Sequence, residues 1–257
     1  MKIIGIIPAR LASSRLPNKP LAKILDIPMI GHVYLRSKMC KDLDEVYVAT
    51  CDKEIYEYVK TIGGKCVMTS NTHERASDRT AEAMLLIEKE TNDKIDIVVM
   101  IQGDEPMITP EMISAAIEPI LNNEDIKIVN LMAAIKSIED FEDPAEVKVV
   151  VDKENYAIYF SREPIPSRRK GVLNVPMLKQ VCVIPFKRDF LLEYNNLPQT
   201  NLEIIESIDM NRLIENNIKV KMVFINQETY SVDTKHDLER VNILMNEDKL
   251  FNNYKLI

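Results

Sequence analysis

Glycine is scarce in this chain. Six glycines occur among 257 residues, at positions 5, 31, 63, 64, 103 and 171. Their spacing permits neither a G-x-G-x-x-G fingerprint nor a P-loop, which argues against a nicotinamide dehydrogenase and a P-loop kinase. The three histidines, His32, His73 and His236, are too scattered for a zinc pattern. No G-x-S-x-G elbow is present. The four cysteines, Cys40, Cys51, Cys66 and Cys182, form no C-x-x-C pair, as expected of reduced thiols rather than a disulfide framework. No apolar run is long enough for a signal peptide or a membrane span, so a soluble, cytoplasmic protein with no membrane partner is expected. A surplus of cations is also missing. The formal net charge of -7 disfavours non-specific nucleic-acid binding, which needs excess Lys and Arg to neutralise phosphates.

Apolar residues make up 46% of the chain, enough for a full core. The first half alternates strand and helix patterns. Strands are expected at Ile3–Ile7, Val46–Ala49, Lys65–Met68 and Ile95–Ile101. Helices are expected at Met29–Met39, Lys53–Ile62 (closed by Gly63-Gly64) and Asp78–Glu90. Such alternation predicts an α/β fold with a mostly parallel sheet covered on both faces. The second half is less regular. It has expected strands at Ile128–Ala134, Val147–Val151, Ala157–Phe160, Gln180–Phe186 and Val220–Ile225, and helices near 187–195 and 202–216. Residues 163–177 read as a polar loop carrying Arg168-Arg169-Lys170, and a last helix opens at Thr234 with Asp237 as its capping-box partner.

Three strand ends attract attention, because ligands of open α/β sheets bind at the carboxyl ends of strands. After the first strand comes Pro8-Ala9-Arg10-Leu11-Ala12-Ser13-Ser14-Arg15-Leu16-Pro17-Asn18-Lys19-Pro20-Leu21. Arg10, Arg15 and Lys19 in one loop suit a triphosphate bound without a glycine cradle, although a solvated basic loop reads the same way. After the most apolar strand comes Gln102-Gly103-Asp104-Glu105-Pro106. Asp104 is placed to hold Mg²⁺, which prefers few protein oxygens plus substrate phosphates; a plain strand-to-helix turn is the other possibility. Val232-Asp233-Thr234 marks a third junction, where Asp233 either supplies a second carboxylate or caps the final helix.

Together these segments resemble the 3-deoxy-manno-octulosonate (Kdo) cytidylyltransferase family. The ordered motifs are P-A-R-x-x-S-x-R-L-P-x-K-P-L, then G-G…M-T-S-x-x-H…D-R-x-A-E-A, Q-G-D-E-P-x-I, Y-F-S-R-x-P-I-P and V-D-T-x-x-D-L-E-x-V, running from residue 3 to about residue 241. The resemblance implies a three-layer nucleotide-diphospho-sugar transferase fold (Rossmann-like) with a mixed, mostly parallel central sheet and a small dimerisation subdomain. It divides the single domain into a nucleotide-binding core (1–135 and 218–257) and an acceptor-binding and dimerisation part (about 136–217). It further implies transfer of CMP from CTP to an acidic sugar for cell-surface polysaccharide synthesis, with Mg²⁺ as cofactor and a homodimeric state. Carried over residue by residue, Pro8, Ala9, Arg10, Ser14, Arg15, Lys19, Arg79 and Gln102 would contact CTP. Asp104 and Asp233 would hold the metal and, with Arg10 and Lys19, form the catalytic set. Arg162, Arg168, Gln180, Glu206 and Asp209 would bind the acceptor, with Arg162 taking its carboxylate.

The chain departs from the family at the acceptor end. S-G-T-[DE]-R appears as Arg75-Ala76-Ser77-Asp78-Arg79, H-x-G-[IL]-Y-x-[YF] as Gln180-Val181-Cys182-Val183-Ile184-Pro185-Phe186, and E-x-L-E-Q-L-R as Glu206-Ser207-Ile208-Asp209-Met210-Asn211-Arg212. Lost hydrogen-bonding groups in a pocket change which hydroxyls it accepts. The departures therefore point to a Kdo variant such as 8-amino-Kdo, or to another anionic acceptor such as a phosphonate. A catalytically inactive nucleotide-binding regulator is the rival class. Val181, Val183, Ile184 and Phe186 exceed what a thin subdomain is expected to bury alone, which suggests a two-fold interface over them.

Overall fold

The computed structural model describes residues 1–13, 15–172 and 174–255. The chain opens with β1 (Ile3–Ala9), a small antiparallel pair β2 (Lys23–Ile24) and β3 (Ile27–Pro28), and α1 (Met29–Lys38). Then follow β4 (Glu45–Thr50), α2 (Lys53–Thr61), β5 (Lys65–Met68), α3 (Ala76–Thr91), β6 (Ile97–Ile101), α4 (Pro110–Asn122) and β7 (Val129–Ala134). The middle of the chain holds α5 (Ile138–Glu142), β8 (Lys148–Val151), β9 (Ala157–Ser161), β10 (Leu178–Val181) and β11 (Val183–Lys187). It closes with α6 (Arg188–Asn196), α7 (Asn201–Glu206), α8 (Met210–Glu215), β12 (Lys221–Ile225), α9 (Lys235–Glu247) and a 3₁₀ turn at Lys249–Asn253.

The central sheet has the order β11-β6-β1-β4-β5. β1 runs parallel to β4 and β6, β4 parallel to β5, and β11 antiparallel to β6. The expected mixed, mostly parallel sheet is thus present. Alternation along each strand feeds two cores, because successive side chains point to opposite faces. Ile7, Val48, Val99 and Ile101 pack with Ile113 and Ile117 of α4 on one face. Ile4, Ile6, Val98 and Met100 pack with Met84 and Ile87 of α3 on the other. Each fully buried aliphatic side chain contributes roughly 1.5–3 kcal/mol relative to exposure. A second sheet, β12-β7-β10-β8-β9, lies beside the first. It draws β7 and β12 from the ranges 1–135 and 218–257, and β8 to β10 from 136–217.

The structure differs from sequence expectation at four places. Gln180–Phe186 is not one strand. It breaks at Cys182, with β10 pairing β7 in the second sheet and β11 pairing β6 in the first. Consequently Val181, Val183, Ile184 and Phe186 are buried within the chain's own core, at 2% exposure or less, and offer no interface. The 202–216 helix is two helices, α7 and α8, separated by Ser207 in the left-handed region (φ 54°). Finally, α4 and α5 have no counterpart in the sequence reading. Pro110 and Pro119 disguise α4, yet Pro110 sits in its first turn, where no amide hydrogen is needed, and the Thr109 side chain caps Met112.

The last turn is tied to α1 by a buried polar cluster. His32 Nε2 lies 2.8 Å from the Ile24 carbonyl, which can only accept, so Nε2 carries the proton. His32 Nδ1 is then an acceptor, and the Tyr254 hydroxyl donates to it at 2.8 Å. The same hydroxyl oxygen accepts from Arg36 Nε at 2.7 Å, while Arg36 also pairs with Asp248. Burial holds the His32 pKa down to about 4 from its ordinary 6.5. In that window the unfolded chain binds the proton that the folded chain refuses. Stability is therefore expected to fall from pH 6.5 towards pH 4, and a His32→Asn variant should lose that share of the slope. Tyr254→Phe leaves two buried polar groups unpaired and should cost about 1–3 kcal/mol, read as a lower urea midpoint; an unchanged midpoint would show the cluster to be energetically idle.

Candidate active site

Three loops at the carboxyl edge of the central sheet enclose a cleft of about 500 Å³. The loop after β1 supplies one end. Pro8, Ala9, Arg10, Arg15 and Lys19 line the cleft, and Gln102 joins them from the end of β6. Ser14 lies outside the described residues. Arg79 is not part of the cleft wall. It is 3% exposed and donates to Thr69 Oγ1 at 2.5 Å and the Ser70 carbonyl at 3.2 Å, bracing the segment behind it. His73, which the sequence reading quoted in a motif but gave no role, lines the cleft and pairs with Glu82.

Asp104 and Asp233 converge although 129 positions apart in sequence. Lys19 Nζ donates to Asp104 Oδ2 at 2.8 Å and to Asp233 Oδ1 at 2.9 Å, and Arg15 approaches the same Asp233 oxygen at 3.0 Å. Burial alone would lower the Lys19 pKa, but the two carboxylates outweigh it and hold the ammonium above its ordinary range. Backbone geometry fixes the pair. Val232 N–H donates to the Asp104 carbonyl at 2.9 Å. Gly103 lets the turn approach closely, since a Cβ there would lie 3.2 Å from Ile30 and 3.4 Å from the Pro8 carbonyl. Thr234, not Asp233, is the N-cap of α9, in a capping box with Asp237. The Asp233 carboxylate is thereby left to face the cleft.

The opposite end is built by β10, β11 and the 206–210 connection. Gln180, Cys182, Ile184, Asp209 and Met210 line it, as does Arg162. The Arg162 guanidinium is largely engaged with main-chain carbonyls: Nε donates to Glu206 at 2.7 Å, Nη1 to Pro144 at 2.8 Å and Nη2 to Ser207 at 3.4 Å. Glu206 stands behind the wall. It accepts from the Tyr159 hydroxyl at 2.9 Å, Ser161 Oγ at 2.8 Å and Arg162 N–H at 2.8 Å, and these donors keep its pKa low against the effect of burial. Arg168 is outside the cleft wall, exposed, with its guanidinium 6.0 Å from the Phe141 ring centroid. Two lining groups went unassigned in sequence. Glu105 is 8% exposed, and burial pushes its pKa up to about 8. Arg75 stands 3.1 Å from Asp209. No spacing rule singles out either; Glu105 follows a turn carboxylate and Arg75 precedes a helix.

The cleft therefore joins a cationic loop, a carboxylate pair and a second, partly apolar end in one cavity. The chain belongs to the cytidylyltransferase family, whose model, described as Cytidylyltransferase, matches residues 4–230. Among curated relatives it is 41% identical over 251 residues to a 3-deoxy-manno-octulosonate cytidylyltransferase of Geobacter metallireducens, covering 94% of this chain and 96% of that one. It is 42% identical over 250 residues to the enzyme of the same name from Fusobacterium nucleatum, with 97% and 99% covered. A solved CMP:2-keto-3-deoxy-manno-octonic acid synthetase complexed with CTP superposes with a TM-score of 0.85 at 38% identity, covering 96% of this chain and 99% of that one. A Bacillus anthracis glucose-1-phosphate thymidylyltransferase structure, at 18% identity and TM-score 0.67 over 94% of each chain, shares the fold.

The engagement of Arg162 with carbonyls from both sides of its wall makes it a brace. Arg162→Gln should lower stability by about 1–3 kcal/mol, the worth of hydrogen bonds from a charged group, while leaving the far-UV spectrum unchanged. A denaturation midpoint equal to that of the parent would show that the wall stands without it.

Proposed function

We propose that this chain transfers CMP from CTP to an acidic sugar, Kdo or a Kdo variant such as 8-amino-Kdo, and releases pyrophosphate. The observation that carries this is the single cleft with Arg10, Arg15 and Lys19 at one end and Asp104 and Asp233 between them and the second end. Kinship with Kdo cytidylyltransferases at 41–42% identity over nearly the whole chain supports both substrates.

The acceptor's oxygen attacks the α-phosphorus of CTP in line, and the bond to the β-phosphate oxygen breaks. No covalent protein nucleophile is required, so the chain contributes positioning and charge neutralisation. Arg10, Arg15 and Lys19 gather the β- and γ-phosphates. Lys19 is suited to follow the leaving pyrophosphate, because its flexible stem already spans the space between the carboxylates and the β1 loop.

Mg²⁺ fits the donor set. Two carboxylates meet at a single cation position, now filled by the Lys19 ammonium. Among the described residues no cluster of three or more His, Cys, Asp or Glu suits a metal. A cation held by Asp104 and Asp233 would thus draw its other oxygens from water and phosphate, the mixture Mg²⁺ prefers. When bound, it would supply neutralisation of charge developing at the phosphate and acceptor oxygens.

Gln180, Ile184, Asp209 and Met210, where the chain departs from its family, all line the acceptor end. This clustering favours a variant acceptor. A homodimer is also proposed, supported now by exposed Ile158 on edge strand β9 and Ile204 and Ile205 on α7, elements tied by the Tyr159–Glu206 bond. Among the described residues no helix is long and apolar enough to cross a membrane; action in the cytoplasm, where CTP is available, is proposed.

The activity is tested by pyrophosphate release with CTP and each acceptor in turn. Release should be greatest with CTP among the nucleoside triphosphates and with Kdo or 8-amino-Kdo among acceptors; absence of release from all of them favours a nucleotide-binding regulator. Asp104→Asn and Asp233→Asn should each lower kcat by orders of magnitude with Mg²⁺ present, a loss of several kcal/mol of transition-state stabilisation. Near-parental turnover in either variant would remove that residue from the metal site. Light scattering at micromolar concentration should give twice the monomer mass of 29.5 kDa.

A further inference from the structure

The arginines lining the cleft are not equally engaged. Arg162 spends its donors on three main-chain carbonyls. Arg15 meets Asp233 and Arg10 meets the His73 carbonyl, both at the nucleotide end. Arg75 is different. It lies at the N-cap of α3, on the wall facing α8, and its side chain is 21% exposed. Its Nη1 is 3.1 Å from Asp209 Oδ1 and its Nε 3.8 Å from Glu203 Oε1. Neither approach has hydrogen-bond geometry, and among the described residues no guanidinium N–H of Arg75 makes a directed hydrogen bond. Glu203 is already committed, since Arg212 holds both of its oxygens, at 2.6 and 2.7 Å. Asp209 lines the cleft, and among the described residues no protein group donates a directed hydrogen bond to its carboxylate. Here, then, is a half-buried guanidinium with unused donors beside a carboxylate with an unused acceptor.

We infer that Arg75, paired with Asp209, determines acceptor specificity by hydrogen-bonding the polar side-chain groups of the sugar acid. This rests on the proposed cytidylyl transfer and names the residue that selects its second substrate. The chemistry follows from what surrounds the pair. Ile184, Cys182, Met210 and Met100 line the same cavity and give no strong hydrogen bonds. The Arg75–Asp209 pair supplies what that wall lacks: Arg75 donates to an acceptor oxygen, and Asp209 accepts from a neighbouring hydroxyl or ammonium. Because its two charges cancel, the pair suits a polyhydroxylated tail better than a second anionic group. It therefore selects against simple phosphonates. Both residues stand where the chain departs from its family, in the segments S-G-T-[DE]-R and E-x-L-E-Q-L-R, so the pair replaces hydrogen-bonding capacity lost elsewhere in the pocket.

The test compares the parent with Arg75→Gln, Arg75→Lys and Asp209→Asn, using pyrophosphate release with CTP and with whichever of Kdo and 8-amino-Kdo the parent prefers. Arg75→Gln should raise the acceptor KM about ten- to a hundred-fold, as expected for one lost charged hydrogen bond, with the CTP KM within about two-fold of the parent. Arg75→Lys should recover part of the loss. The parent should also discriminate between the sugar and its side-chain deoxy analogues, and Arg75→Gln should flatten that ratio, which a merely structural role would not do. An unchanged acceptor KM and unchanged discrimination would overturn the inference, as would a rise confined to the CTP KM. A parent enzyme that releases no pyrophosphate with any acceptor would overturn the cytidylyl-transfer assignment and this inference with it; parental turnover with an indifferent Arg75→Gln would overturn the inference alone.

Discussion

The Lys19 ammonium, seated between Asp104 and Asp233, is the contact on which the site depends. It draws together the loop after β1, the turn after β6 and the junction before α9, segments separated by 85 and 214 positions. Two carboxylates at such close range would repel one another across a partly buried cleft. The cation removes that repulsion and holds the three segments together at one end of the cleft. The side chains are only 15–22% exposed, so solvent screens the attraction less than it would at the surface.

From that point the two ends of the cleft are built by different means. At the nucleotide end, the cations come from one loop and meet the carboxylates that share the cleft with them. At the acceptor end, most charge is spent internally: Arg162 on carbonyls, Glu206 on three donors, Arg212 on Glu203. Breaking a buried pair such as Arg212–Glu203 leaves an uncompensated charge, at a cost of about 3–5 kcal/mol. The acceptor walls are thus held in place by groups that never meet a ligand.

Sequence made the nucleotide end legible because strand ends carry it. A basic loop after β1, a carboxylate after β6 and another before α9 follow from apolar runs and the rule that ligands bind at carboxyl edges. The acceptor end was less legible. Arg168 and Glu206, like Arg79 among the expected CTP contacts, fall behind or beyond the wall, because motif membership records a position in the chain and not the direction of a side chain. Arg75 was passed over because a lone arginine before a helix has no pattern. In the fold, parallel strands with continuous apolar runs were clear, whereas α4 hid behind its prolines and the 180–186 run hid a change of sheet. Seven residues rich in apolar side chains look like one strand whether they serve one sheet or two.

That change of sheet constrains how the protein can vary. β10 is registered against β7 and β11 against β6, with the single residue Cys182 between them. An inserted or deleted residue there would turn the inward faces of one strand outward. The lineage can therefore remodel this wall only by exchanging side chains at fixed positions. The described residues of the 163–177 segment, most of them exposed, carry no such ladder, and the segment is free to change length. The wall's chemistry thus evolves by substitution along the strands, while changes of length are left to the exposed loop.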